Sequence, residues 1–335
     1  MATQIRVLFR VNADVALGLG HLSRCHALML ALSRLVACRF AVVTHNKDAV
    51  RRVMSSIDFE LYEVGDKIQG GCFDIVVVDI PNPSRAEENF RDITNLLVCL
   101  DDSGAGLYDQ DVLIRPNLLG LPRPAELAEG QYWIGQVILH PDFAMPYPIP
   151  LTVEKLPGVK EIFVCFGGSD PCGITLRVVS TLKNLSGGVQ IRIVLGAAFQ
   201  WDEELALLLD MDTRFIVMRN IPDVARVLQM ADVALISGGT LLYEACASGI
   251  PSVVICQNEE QQMEADAAHG AGAVISLGTN ANVLDKSILL AIEQLLSDAD
   301  LRQKMARQGL SLVVPDGAAG LATRLLSRLR KREEE

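Results

Sequence analysis

The sequence predicts an α/β protein built as two doubly wound domains that face each other across a cleft. Three observations predict it. Short, β-branched and nearly continuous apolar runs alternate with longer helical patterns, and strands apolar on both faces belong to parallel sheets covered by helices on each side. A stretch of low periodicity with five prolines, HPDFAMPYPIPLTVEKLPGVK from His140 to Lys160, cuts the chain near its middle. Each half then opens alike, with a strand that empties into a glycine-rich loop, RVNADVALGLGH in the first and FVCFGGSD in the second. Such Rossmann-like domains bind ligands at the carboxyl ends of their strands.

The elements follow in order. Residues 1–145 form the first domain, with strands in IRVLFRV, RFAVVTH, DIVVVDI and NLLVCLD. Residues 146–160 are the linker. Residues 161–316 form the second domain, with strands in EIFVCFG, VQIRIVLG, RFIVM, DVALIS, PSVVIC and GAVISL. Residues 317–335 are a C-terminal helix, because the leucines of ATRLLSRLRKREEE recur at helical spacing; packing against the protein is preferred over attachment to a membrane surface.

Composition excludes several function classes. With 30 basic and 41 acidic residues among 335, the net charge is −11, which opposes broad attraction to nucleic acid or anionic lipid. Eight cysteines show no CxxC pair and several lie inside apolar runs, as free thiols in a reducing cytosol do. The opening MATQIRVLFRV is wrongly ordered for a signal peptide, and the charge-free stretches are broken by Gly and Pro well short of the roughly 20 apolar residues of a membrane span. A cytoplasmic protein is expected.

The second half holds the clearest ligand motif. In DVALISGGTLLYEACASGIPSVVICQNEEQQ a strand ends near Ile236, Ser237, Gly238, Gly239 and Thr240 follow, and a helix carrying Glu244 comes next. A helix start with free N–H groups suits a phosphate, and a carboxylate one turn on suits a vicinal diol such as ribose. The plainer alternative is a strand–helix turn with Thr240 as N-cap and Glu244 in solvent. FGGSDP, with Gly167, Gly168 and Ser169, is a second candidate phosphate or sugar contact. In the first half, GLGHLSRC puts His21 directly behind glycines, where it either acts in catalysis or caps its helix. Asp101 and Asp102 are adjacent on a strand end, point to opposite sides and have no histidine beside them, which argues against a metal; no cofactor is expected.

Several motifs in order carry a resemblance. GGSDPCGIT followed by NIPDVARVLQMADVALISGGTLLYEACASGIPSVVICQNEEQ resembles the nucleotide-binding half of GT-B-fold proteins. FRVNADVALGLGHLSRCHALMLA, GQVILHPDF and DGAAG are similar to one branch of them, which contains the UDP-sugar hydrolase of pseudaminic acid biosynthesis and related spore-coat polysaccharide proteins. The resemblance implies a UDP-sugar substrate, with uridine and pyrophosphate on the second domain at Ile221, Ser237, Gly238, Gly239, Thr240 and Glu244. It implies His21 as the base that activates water at the anomeric carbon, releasing UDP and a free sugar of the diacetamido-trideoxy type. Arg10, Asn12, Gly18, Gly20, Arg24, Asp79, Gly167, Gly168, Ser169, Asn258 and Gln261 would contact substrate.

The chain departs from that pattern at three places. Asn12 stands where an acid is usual, with Asp14 close by; Gly-Ala-Gly interrupts LDDSGAGLYDQD; and VVDIPNP replaces a VVDxY type. Two other readings remain: a GT-B glycosyltransferase that passes the sugar to an acceptor hydroxyl, and a non-catalytic nucleotide-sugar binding subunit.

Overall fold

The computed structural model describes residues 4–12, 20–68, 71–80, 90–100, 110–116, 132–135, 138, 160–196, 198–221, 224–313 and 317–334. They form two compact units, Met1–Pro141 together with Asp316–Glu335, and Asp142–Pro315. The helix at 317–334 therefore belongs with the first strands, and most of the expected linker 146–160 lies outside the described residues.

Unit 1 contains β1 (Ile5–Val11), α1 (Gly20–Leu35), β2 (Cys38–Thr44), α2 (Lys47–Val53), β3 (Phe59–Glu63), β4 (Phe73–Asp79), β5 (Thr94–Leu100), β6 (Val112–Arg115) and β7 (Tyr132–Gly135). Its parallel sheet runs β3-β2-β1-β4-β5-β6-β7. The sequence reading lacks β3, β6 and β7, which are short or half-buried. Alternation along β1 decides what each side chain meets. Val7, Phe9 and Val11 join a core with Leu28 and Leu32 of α1, whereas Leu8 packs on the other face with Val76 and Val78. The last helix of the chain, Gly317–Glu334, buries Leu321, Leu325 and Leu329 at four-residue spacing in the same core as α1.

Unit 2 contains β8 (Lys160–Cys165), α3 (Ile174–Leu182), β9 (Val189–Leu195), α4 (Asp202–Leu209), β10 (Phe215–Arg219), α5 (Val224–Gln229), β11 (Val233–Ile236), α6 (Thr240–Ala247), β12 (Ser252–Cys256), α7 (Glu259–Gly270), β13 (Val274–Thr279), α8 (Asp285–Ser297) and α9 (Ala299–Leu312); the helix at 317–334 is α10. The parallel order is β10-β9-β8-β11-β12-β13. Ile162, Val164, Ile191 and Ile193 pack under Val178 and Leu182 of α3 and Ile288 and Ile292 of α8.

Both sheets reverse their order of addition once. Unit 1 lays down β2 and β3 on one side of β1 and then β4 on the other; unit 2 does the same with β9, β10 and β11 around β8. At each switch the flanking loops part to opposite faces and leave a crevice at the carboxyl ends of the strands. Among the described residues no helix is long and apolar enough to cross a membrane.

Candidate active site

At the switch of unit 1, β4 ends in Asp79, beside Val11 of β1, and the backbone N–H of Asn12 donates to its carbonyl at 2.9 Å. The Asp79 side chain lies on the α1 side of the sheet and is fully buried. His21 and Arg24 are three apart on α1, so they share the helix face turned toward it. His21 Nδ1 lies 2.7 Å from Asp79 Oδ1. Arg24 grips both carboxylate oxygens, Nε donating to Oδ2 at 2.7 Å and Nη2 to Oδ1, and Nη2 also lies 2.9 Å from His21 Nδ1. Cys25 Sγ adds a contact to Oδ2 at 3.4 Å. Burial by itself would raise the pKa of Asp79, but the Arg24 guanidinium and the His21 ring override it and hold the carboxyl well below the usual carboxylate range.

The sequence reading puts Asp79 and Arg24 among residues that touch substrate. The structure turns both inward onto His21. The carboxylate beside the ring thus comes from a strand end 58 residues along the chain from His21. Arg10 projects to the opposite face of the sheet, buried, with Nη1 donating to the carbonyl of Val11 at 3.3 Å and Nη2 facing His45 Nε2 at 3.4 Å. Gly20 starts α1; Gly18, Asp14, Asp101 and Asp102 lie outside the described residues.

Three loops share the carboxyl edge around the switch of unit 2. Ser237, Gly238 and Gly239 join β11 to α6, whose N-cap is Gly239, with no side-chain cap; Thr240 is the first helical residue. The first amides of α6 therefore keep free donors for a ligand. A Cβ on Gly238 would come within 2.7 Å of the Gln261 carbonyl oxygen, so only glycine lets this loop lie against the start of α7. Asn258 caps α7 by accepting from the Gln261 N–H at 2.9 Å, Gln261 Oε1 accepts from the Gln257 N–H at 3.0 Å, and Gln257 Nε2 donates to the Phe166 carbonyl at 2.7 Å. The polar atoms expected to meet substrate at Asn258 and Gln261 are thus also used to join loops. Gly167 has φ +89°, open to glycine, while Gly168 and Ser169 are half-buried. Ile221 follows β10 at the edge of the sheet, with β9 and β8 between it and the Ser237 loop.

Glu244 is buried in α6 rather than solvated, and no hydrogen bond or ion pair reaches it from the described residues. Burial pushes its carboxyl up to about 8. Two residues escape the sequence reading. Asp170 is buried and accepts from the N–H groups of Ile174 at 3.0 Å and Thr175 at 2.8 Å, which fixes the Phe166 loop to α3; an Asp just ahead of an apolar helix was the available signal. A Cβ on Gly196 would stand 2.4 Å from the Gly168 Cα, so β9 and the Phe166 loop touch backbone to backbone. No three His, Cys, Asp or Glu side chains gather as a metal would require, among the described residues.

No protein-family model matches the chain. It is 24% identical over 279 residues to an uncharacterized protein of Methanocaldococcus jannaschii, covering 77% of the chain and 57% of that protein. It is 24% identical over 317 residues to the spore coat polysaccharide biosynthesis protein SpsG of Bacillus subtilis, covering 88% of the chain and 90% of the relative. Over 187 residues it is 27% identical to the UDP-N-acetylglucosamine--N-acetylmuramyl-(pentapeptide) pyrophosphoryl-undecaprenol N-acetylglucosamine transferase of Leuconostoc citreum, 52% of the chain and 50% of that enzyme. The chain thus spans about half the length of the first and third of these. Among solved structures it is similar to the spinosyn rhamnosyltransferase SpnG, with a TM-score of 0.67 at 14% identity over 98% of this chain and 100% of that one. A Staphylococcus aureus MnaA–UDP co-structure gives 0.66 at 13% identity over 100% and 97%. The fold of the two units is GT-B.

Proposed function

We propose that this protein is a glycosyl-transfer enzyme that takes a UDP-sugar as donor, passes the sugar to an acceptor hydroxyl, and serves the building of a surface polysaccharide. The observation that carries the reading is the His21–Asp79 pair, a base and its orienting carboxylate, at the switch point of a GT-B unit. The acceptor oxygen would bond to the anomeric carbon, its proton would pass to His21 Nε2, and the bond from that carbon to the β-phosphate oxygen would break with UDP leaving. In unit 2 the amides at Ser237 to Thr240 would meet the diphosphate, and Glu244 the ribose hydroxyls. Relatives and fold neighbours whose names state transfer of sugars, and one solved with UDP, support this reading over hydrolysis. The likeness over most of the chain to a spore coat polysaccharide protein supports the polysaccharide context.

Hydrolysis is the second reading, favoured by the GLGHLSRC motif, and the same base serves either nucleophile. A panel of UDP-sugars followed by NMR, with and without saccharide acceptors, separates them. UDP release that requires an acceptor marks a transferase. Free sugar formed in water alone marks a hydrolase, and absence of any UDP binding overturns the donor assignment.

A further inference from the structure

We propose that Arg24 is a positioning residue for His21 that acts through Asp79, holding the carboxylate so that the ring keeps its proton on Nδ1 and offers Nε2 as the base. This rests on the reading of His21 as proton acceptor. The guanidinium forms a two-point fork on the carboxylate, Nε to Oδ2 at 2.7 Å and Nη2 to Oδ1, and its side chain is only 10% exposed. Two groups converge at His21 Nδ1, and the geometry decides where its hydrogen lies. Arg24 has no acceptor, and an ionised carboxylate has no donor. Were Nδ1 to accept from Nη2, its lone pair would face that of Oδ1 across 2.7 Å with no proton between them. The ring nitrogen therefore donates to Oδ1, as the neighbouring Arg24 Nη2 also does.

Arg24 also balances charge. From β4 the ring faces Asp79, and from α1 Arg24 and the Cys25 thiol near it. Arg10 at the end of β1 turns to the other face of the sheet, onto His45. The first turn of α10, which packs along α1, is Gly317, Ala318, Ala319 and Gly320 and brings no titratable group. Asp14 lies outside the described residues. A carboxylate beside the ring favours its charged form, and the guanidinium opposes that pull while leaving the orienting hydrogen bond in place.

The test uses the full chain, as wild type, Arg24→Met and Arg24→Lys, with the His21 ring nitrogens assigned in ¹⁵N spectra by comparison with His21→Gln. The wild type should show the Nδ1–H tautomer. In Arg24→Met the His21–Asp79 pair should keep its proton to higher pH, moving the ring titration and the acidic limb of the turnover profile up by about one pH unit. Arg24→Lys, which keeps the charge and loses the fork, should restore most of that shift. An Nε2–H tautomer in the wild type overturns the proposal. So does an Arg24→Met profile that drops equally at every pH with its limb unmoved, since that is the mark of a packing residue. If Arg24→Met does not fold, the wild-type tautomer and the Arg24→Lys profile decide. The ring spectra need no substrate, so a wild type that turns over no UDP-sugar would overturn the functional reading without touching this one.

Discussion

At the scale of single residues, His21 and Glu244 separate chemistry from binding. His21→Asn should lower turnover by roughly 10²–10⁴-fold, the usual contribution of a positioned base, while UDP affinity measured by calorimetry stays within a few-fold, because the proposed nucleotide contacts belong to the other unit. Equal loss of both would return His21 to a helix-start role. Glu244 carries a pH signature. Its carboxyl, raised to about 8 in the fold, holds a proton that the unfolded chain releases near 4.3. The stability it contributes is therefore complete below about pH 4.3 and lost as pH rises through about 8. Glu244→Gln should flatten that slope, so that chemical denaturation at pH 8 finds the variant more stable than the wild type by about 2–4 kcal/mol. If ribose hydroxyls donate to this carboxylate, UDP binding at pH 7 must also expel its proton. Binding enthalpies of the wild type should then vary with the ionisation enthalpy of the buffer, and an invariant enthalpy would count against the ribose contact. His21 stood out in the sequence as a histidine behind glycines, though only the resemblance, not the pattern, implied a role as base. The inward roles of Asp79 and Arg24 were not, since they depend on β4 lying beside β1, a pairing that no local pattern encodes.

At the scale of elements, the strands that the sequence announced are those buried on both faces, such as β1, β4, β8 and β12, whose apolar runs are nearly continuous. The FELYE of β3 was silent because an edge strand is half wet and its polar residues break the run. The three-loop edge of unit 2 was half legible: its glycines stood out, but the reason for Gly196 lies in the loop after a neighbouring strand. Gly196→Ala should force the Phe166 loop away from β9, because backbone atoms at 2.4 Å cannot be relieved by a rotamer change. Thermal melts should show a loss of several degrees, in the range of about 2 kcal/mol or more for overpacking, together with weakened UDP binding. A melt unchanged from wild type would mean that the loop has room the close contact denies.

At the scale of the whole molecule, unit 1 is assembled from both ends of the sequence, with α10 laid along α1. Leu321, Leu325 and Leu329 are almost wholly buried in that core, and each such side chain is worth about 1.5–3 kcal/mol, a sum comparable with the total stability of an ordinary domain. Removing residues 317–335 should leave unit 1 unfolded, and hydrogen exchange should find fast amides across β1, β2 and β4 while those of unit 2 stay protected. Slow exchange in β1 of the truncated protein would show that α10 is dispensable.

The same arrangement sets an order of events on the ribosome. Translation delivers all of unit 2 before the helix that closes unit 1, and at about 5–20 residues per second the first strands wait roughly fifteen to sixty seconds for α10. Throughout that interval the apolar face of α1 is uncovered in the nascent chain, open to holding chaperones, and unit 2 is free to fold first.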